Sequence, residues 1–355
     1  MPEVIDALIK SINAKAKAQV LVRGSDLRNI TYQRATTGAL ALDLMLGGGW
    51  PLNCWNEIIG MESSGKSAIV MKTIAANQAT NPDYHTLWVA SEDFFPDWAE
   101  ALGMDVDRCT FVMTNVMEDA YDAVLAVMDE RAVDAVVIDS FPALIPSDED
   151  DKSMMEFTVG RGALLTNKFM RKSSAAQRRS LVEYDRPVLG LFVNQWRDRI
   201  GVIGHADPRI TPGGKGKNYS FLTRVEVARE EWINSGAKLK VGQNIKCQTI
   251  KNKTAPPRRI ANVDFYFDDH KEFTAGSYDL VKQTSTVALA CGVIEQRGAW
   301  FYFAGHRWNG MAKAVAAIDA DPELAKMVDG HVRSVLLHEP LPEDPKPKRR
   351  VARTK

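Results

Sequence analysis

Eight residues, Gly60-Met61-Glu62-Ser63-Ser64-Gly65-Lys66-Ser67, constrain the fold of this chain more than any other stretch. They satisfy GxxxxGK[ST] and stand between an apolar run ending at Ile59 and a helix-forming run from Ala68 onward. In that setting the glycines let backbone N–H groups converge on a phosphate, and the helix N-terminus adds partial positive charge. A turn of this kind belongs to a parallel sheet with helices on its faces. Gly60, Glu62, Ser63, Ser64, Gly65 and Ala68 are expected to line a nucleotide's phosphates. Lys66 neutralises the β/γ oxygens and the Ser67 hydroxyl ligates Mg²⁺.

The rest of the chain fits that α/β expectation. Short, nearly continuous apolar runs rich in β-branched residues occur at 56–59, 85–90, 110–114, 132–138 and 187–193. They read as strands buried on both faces of a parallel sheet, with further edge strands within 246–267. Residues 1–20 read as a short amphipathic helix, with Val4, Ile5, Leu8, Ile9 and Ile12 at three- and four-residue spacings. Its apolar face packs on its own core or on a neighbouring subunit, and the pattern alone favours the first. After Gly276 the texture changes to short helices and a pair of aromatic strands, at 299–303 and 307–308. The expected organisation is therefore 1–34 (helix and linker), 35–275 (core), 276–338 (a small α/β domain) and 339–355 (a disordered tail).

A phosphate loop of this kind needs a metal partner and a residue to activate water. Asp139 ends the buried strand VDAVVID and is placed to hold Mg²⁺ through water, opposite Ser67; Asp134 reads as a strand-start residue. The run 85–90 ends in Ser91-Glu92-Asp93, where such sheets place ligands. Glu92 is the expected general base and Asp93 the competing candidate. The next strand ends in Asn194-Gln195, and Gln195 is expected to contact the γ-phosphate and report it to the loop that follows.

The formal net charge is zero, 45 Lys+Arg against 45 Asp+Glu, so a polyanion site has to be local. Residues 197–217 supply one: five Lys/Arg against two Asp, with five glycines. That composition suits a segment gripping a nucleic-acid backbone, or a solvated lid over the nucleotide. Residues 147–160 form a second candidate, whose Met154, Met155 and Phe157 either wedge between bases or pack in the core. The four cysteines are far apart, and no apolar run approaches the roughly 20 residues of a membrane span. A cytoplasmic location is expected.

Together GMESSGKSAIV, VVIDS followed by FPALIP, FVNQWRDRIGV, TPGGKGKNYS and TIKNKTAPP resemble, in order and spacing, the RecA recombinases. LACGVIEQRGAWFYFAGHRWNGMAKAVAAI resembles that family's small C-terminal domain. The likeness runs from about residue 35 to 338 and marks a divergent member. It implies a RecA-like P-loop ATPase core with a mainly parallel twisted sheet, an N-terminal oligomerisation helix that docks on the next protomer, and a small DNA-binding C-terminal domain. The implied activity is DNA-dependent ATP hydrolysis with Mg²⁺, in helical filaments on single-stranded DNA that exchange strands with homologous duplex.

By the same resemblance Lys66, Ser67 and Asp139 take the nucleotide and metal positions, Glu92 that of the catalytic glutamate, and Gln195 that of the coupling residue. Lys251 and Lys253 match lysines that reach the γ-phosphate of an adjoining subunit, and Trp98 matches an adenine-stacking aromatic. The DNA contacts would be Met154 and Val159 in the first loop. In the second they would be Arg197, Arg199, Ile200, Arg209, Gly213, Gly214, Lys215 and Lys217. Three departures stand out. Phe95 replaces the adenine-side acid, Tyr219-Ser220 replaces a Phe-Tyr pair, and the tail is basic where the family's is acidic. Two other readings share these motifs: a hexameric DnaB-type helicase or DNA motor, and a non-enzymatic filament-forming DNA mediator.

Overall fold

Parallel strands buried on both faces build the centre of the molecule. The structure, a computed structural model, describes residues 2–16, 20–26, 33–150, 160–183, 186–198, 209–236 and 239–338. Its strands are β1 (Arg34–Ala35), β2 (Trp50–Pro51), β3 (Cys54–Gly60), β4 (Thr86–Ala90), β5 (Cys109–Val112), β6 (Ala135–Asp139) and β7 (Leu189–Gln195). After them come β8 (Arg197–Asp198), β9 (Arg209–Ile210), β10 (Thr223–Asn234), β11 (Lys240–Asn252) and β12 (Ile260–Tyr266). Eight form one sheet in the order β12-β11-β10-β3-β7-β6-β4-β5. The pairs from β10 through β5 are parallel, and β11 and β12 extend that sheet antiparallel.

Alternate residues of the central strands feed two apolar layers. Trp88, Ala90, Ala135, Val137, Leu191 and Val193 face one layer with the helices Leu40–Leu46 and Lys66–Thr80. Leu87, Val89, Val136, Ile138 and Phe192 face the other, with Met117–Glu130 and Arg161–Glu183. Burying each of the larger of these side chains contributes roughly 1.5–3 kcal/mol, so both faces of the strands help hold the sheet together. In the second layer the Trp55 indole N–H donates to Ser173 Oγ (2.8 Å), and Tyr121 stacks on Phe169 at 4.1 Å.

Two sequence expectations need correction. The strand β10 went unanticipated, because its second half (from Glu230) projects past the parallel sheet as a ribbon with β11 and is mostly exposed. The helix Pro2–Ala16 does not lay its apolar face on the core of its own chain among the described residues. Val4, Ile5 and Leu8 are 63%, 51% and 52% exposed. Asn13 instead ties the helix to Val20 and Leu21, and Arg23 to Asp6 at 2.7 Å.

Packing divides the chain into Met1–Tyr278 and Asp279–Lys355. The second unit has helices Leu280–Ala290, Met311–Asp319 and Pro322–Leu337 with a three-stranded sheet, β13 (Glu295–Arg297), β14 (Trp300–Phe303) and β15 (His306–Asn309). Asp279 and Asp321 cap two of its helices through their carboxylates. Phe301 and Phe303 are buried, whereas Trp300 and Tyr302 alternate onto the other face. There Arg307 lies 4.0 Å over Trp300 and Arg297 5.4 Å over Tyr302. The tail 339–355 lies outside the described residues.

Candidate nucleotide and DNA site

Four adjacent parallel strands end together and carry the candidate chemistry. The strand β3 runs into the phosphate loop, β7 ends in Gln195, β6 in Asp139, and β4 leads to Glu92. Gly60 is the ladder partner of Gln195, and Ala90 that of Asp139, so sheet register alone gathers these residues.

The phosphate loop has the shape of an oxyanion cradle. Gly65, at φ +99°, precedes the helix Lys66–Thr80, and a Cβ there would lie 2.6 Å from Ile245 Cδ1. At Gly60 a Cβ would meet Val227 O at 2.3 Å and Ser64 Oγ at 2.5 Å, so only glycine fits. Ser64 Oγ is buried without a hydrogen-bond partner, an orphaned donor aimed at nothing in the protein. Lys66 Nζ donates to Met61 O at 2.7 Å. Burial pushes its pKa down, while Asp139, Glu92 and Glu62 oppose that. Glu62 and Ser63 are exposed at the loop's tip, and Ala68 is buried in the first helical turn. An orphaned hydroxyl, a buried ammonium and a helix N-terminus fit a triphosphate.

Burial likewise pushes the Asp139 carboxyl up to about 6; Ser67 lowers it by a hydrogen bond, Glu92 raises it and Lys66 lowers it. One carboxylate and one hydroxyl suit Mg²⁺, which keeps waters and phosphate oxygens as its other ligands. Next to Asp139, the Ser140 hydroxyl donates to Glu92 Oε1, and the Ser91 hydroxyl donates to Ser140 O at 2.7 Å. Glu92 thereby stands exposed but tethered beside the metal strand. Asp134 is structural: it accepts from His85 N at 2.8 Å and pairs with Arg186 at 2.8 Å.

Trp98 meets Phe265 edge-on at 6.3 Å and packs against the core. The outward aromatic of that segment is Phe95, 66% exposed, which lines a cleft with Glu92, Asp93 and Met113. Sequence reasoning treated Phe95 only as a missing acid.

The basic loop starts directly after Gln195. Arg197 and Arg209 belong to β8 and β9, a two-residue ladder that closes the loop's two roots. Arg209 lies 4.7 Å over Trp196 and pairs with Glu226 at 2.5 Å, which also accepts from the Trp196 indole N–H. Gly214 and Lys215 are exposed and Gly213 half-buried. Lys217 departs from expectation. Its side chain is wholly buried, and Nζ donates to Glu57 (2.9 Å), Thr211 Oγ1 (2.8 Å) and Asn218 Oδ1 (3.0 Å). A lysine so engaged does not offer its charge to a DNA backbone. Met154, Val159, Arg199 and Ile200 lie outside the described residues.

Lys251 and Lys253 sit apart from the phosphate loop of their own chain. Gly60 pairs with Val227, but Lys251 pairs with Arg224, the partner of Glu57. That is three rungs, roughly 10 Å, toward the amino end of β3. Lys251 Nζ donates to Asn218 O at 2.6 Å, and Lys253 is exposed.

Residues 3–271 match the RecA N-terminal domain family. The chain belongs to the RecA family. It is 31% identical over 335 residues to Protein RecA of Synechocystis sp., covering 94% of this chain and 90% of that protein. To Protein RecA of Thermus aquaticus it is 31% identical over 336 residues, 92% of this chain and 93% of that one. To Protein RecA of Staphylococcus aureus it is 29% identical over 336 residues, 94% and 92%. RecA proteins are DNA recombinases of repair. Similarity across nine-tenths of the chain places this one among them and does not favour the helicase reading. The RecA family hydrolyses ATP with Mg²⁺ and works on DNA as homo-oligomers. Among the described residues, no helix is long and apolar enough to cross a membrane.

Proposed function

We propose that this chain binds ATP and Mg²⁺ between successive copies of itself on single-stranded DNA, hydrolyses the ATP there, and exchanges strands with homologous duplex. The observation that carries the reading is the shared rung of Gly60 and Gln195. It puts the phosphate loop one strand away from the root of the basic loop.

Each residue has a physical task. Backbone N–H groups of 60–66, the Ser64 hydroxyl and the Lys66 ammonium hold the phosphates. Ser67 and Asp139 hold Mg²⁺, which draws charge from the phosphate oxygens when bound. Glu92, steadied by Ser140, takes a proton from water at a carboxylate oxygen. Gln195 senses the γ-phosphate, and the 197–217 loop, with Arg197, Lys215 and the Gly213-Gly214 backbone, meets DNA phosphates.

Lys251 and Lys253 lie too far from their own phosphate loop to serve it, which supports the reading that they serve a neighbour's. The exposed stripe Val4, Ile5, Leu8 and Ile12 supports docking of the N-terminal helix on that neighbour. The Arg-bearing face of the second unit supports contact with a DNA phosphate backbone. The test is electron microscopy and ATP turnover with single-stranded DNA. Helical filaments and DNA-stimulated hydrolysis are expected; closed rings, or turnover indifferent to DNA, would overturn the reading.

A further inference from the structure

We propose that the buried Glu57 carboxylate is a hub joining both roots of the 197–217 loop to the phosphate-loop strand, and that Lys217 is a positioning residue pinned to it. The proposal rests on the reading above that this loop meets DNA.

Glu57 lies on β3, three residues before Gly60, and its side chain is 0% exposed. A buried carboxylate needs several donors, and this one has three. Lys217 Nζ donates to Oε1 at 2.9 Å, Asn194 Nδ2 to Oε1 at 2.8 Å, and Arg224 Nε to Oε2 at 2.5 Å. The donors come from three different places in the loop's surroundings. Asn194 belongs to the starting root, and its Oδ1 accepts from the backbone N–H of Gln195 at 2.9 Å. Lys217 belongs to the finishing root and spends its other two donors on Thr211 and Asn218, on either side of it in the chain. Arg224 shares a rung with Lys251, whose ammonium donates to the carbonyl of the same Asn218.

One carboxylate therefore fixes the γ-phosphate sensor, the loop's return and, through Asn218, the lysine that serves the neighbouring copy. The finishing root is packed as well as bonded. A Cβ on Gly213 would lie 2.7 Å from Phe141, and one on Gly216 2.4 Å from Asn167 Oδ1. The finishing root is held in one arrangement, and a shift at Gln195 is shared with Lys217 through Glu57 rather than along the chain of the loop.

The experiment compares wild type, Lys217→Met, Lys217→Arg and the double variant Glu57→Gln/Lys217→Met. ATP turnover is measured without DNA and over a range of polypyrimidine single strand. For Lys217→Met the DNA-free rate and the KM for ATP should stay at the wild-type value. The ratio of stimulated to unstimulated turnover should drop roughly tenfold, within the range of couplings between sites. Lys217→Arg should keep most of the stimulation. In Lys217→Met the Glu57 carboxylate keeps Asn194 and Arg224 as partners; the double variant removes acid and lysine together, so it separates loss of the pair from a carboxylate left with two donors, and it too should lack stimulation. Wild-type stimulation in either Met variant would overturn the proposal alone, as would an equal loss of DNA-free turnover in the double variant. An absence of stimulation in wild type would overturn the DNA reading and this proposal with it.

Discussion

Gln195 sits directly opposite Gly60 in the β3–β7 ladder, so the residue that opens the basic loop shares a rung with the residue that opens the phosphate loop. Its backbone N–H is held by Asn194, and on the proposed reading its side-chain amide senses the γ-phosphate. Gln195→Ala should keep ATP affinity and DNA-free turnover while losing DNA stimulation by roughly tenfold. Steady-state ATPase assays with and without single-stranded DNA measure this. Unchanged stimulation would remove Gln195 from the coupling.

Glu92 carries the proton in this account, and Ser140 keeps it beside Asp139. Glu92→Gln should slow hydrolysis by about 10²–10⁴-fold with ATP binding intact. Ser140→Ala should give a smaller loss in kcat with little change in KM. Equilibrium binding of an ATP analogue beside single-turnover hydrolysis separates the two effects. Unaltered hydrolysis in Glu92→Gln would pass the role to Asp93.

Burial pushes the Lys251 ammonium down to about 8, with Lys253 and Arg224 pushing the same way and Glu57 opposing. A lowered lysine pKa means that the charge disappears as pH rises through about 8 instead of near 10.4. In the free chain this charge is therefore lost between about pH 7.5 and about pH 9, so DNA-stimulated turnover should develop more slowly across that range, and Lys251→Arg should flatten that change because a guanidinium stays charged. Stability moves the other way: the folded chain binds fewer protons than the unfolded chain across about pH 8–10.4, so this group adds stability there. A thermal melt that holds while activity falls distinguishes titration from unfolding.

The N-terminal helix shows an apolar stripe to solvent and, among the described residues, covers no core with it. Ile5→Glu with Leu8→Glu should leave the melting curve nearly unchanged, since exposed substitutions stay within about 0.5 kcal/mol. The same pair should abolish filaments. Sedimentation with ATP analogue and DNA reads the assembly; filaments of normal length would show that the stripe has another use.

Much of the fold was legible because the parallel strands are buried on both faces, which leaves continuous runs such as VVID in the sequence. The phosphate loop was legible because backbone geometry there admits little but glycine. The strand β10 was not, since its Arg224 and Glu226 look solvent-borne until Glu57, Trp196 and Arg209 supply their partners. Lys217 was misread for the same reason: its acid lies 160 residues away in the chain. Composition gives a lysine's charge but not whether a buried carboxylate has claimed it. The N-terminal helix shows the converse, an amphipathic pattern that does not say whose core it serves.

On the proposed reading, each ATP site is completed by lysines from another copy of the chain. Two variants test it together: Lys66→Ala, which lacks the phosphate-loop ammonium but keeps Lys251 and Lys253, and Lys251→Ala/Lys253→Ala, which keeps that ammonium but lacks the other two lysines. Each alone should be inactive on single-stranded DNA. Mixed before DNA is added, they should regain ATP turnover, because mixed filaments contain junctions with both halves intact. A mixture as inactive as its components would contradict the shared site.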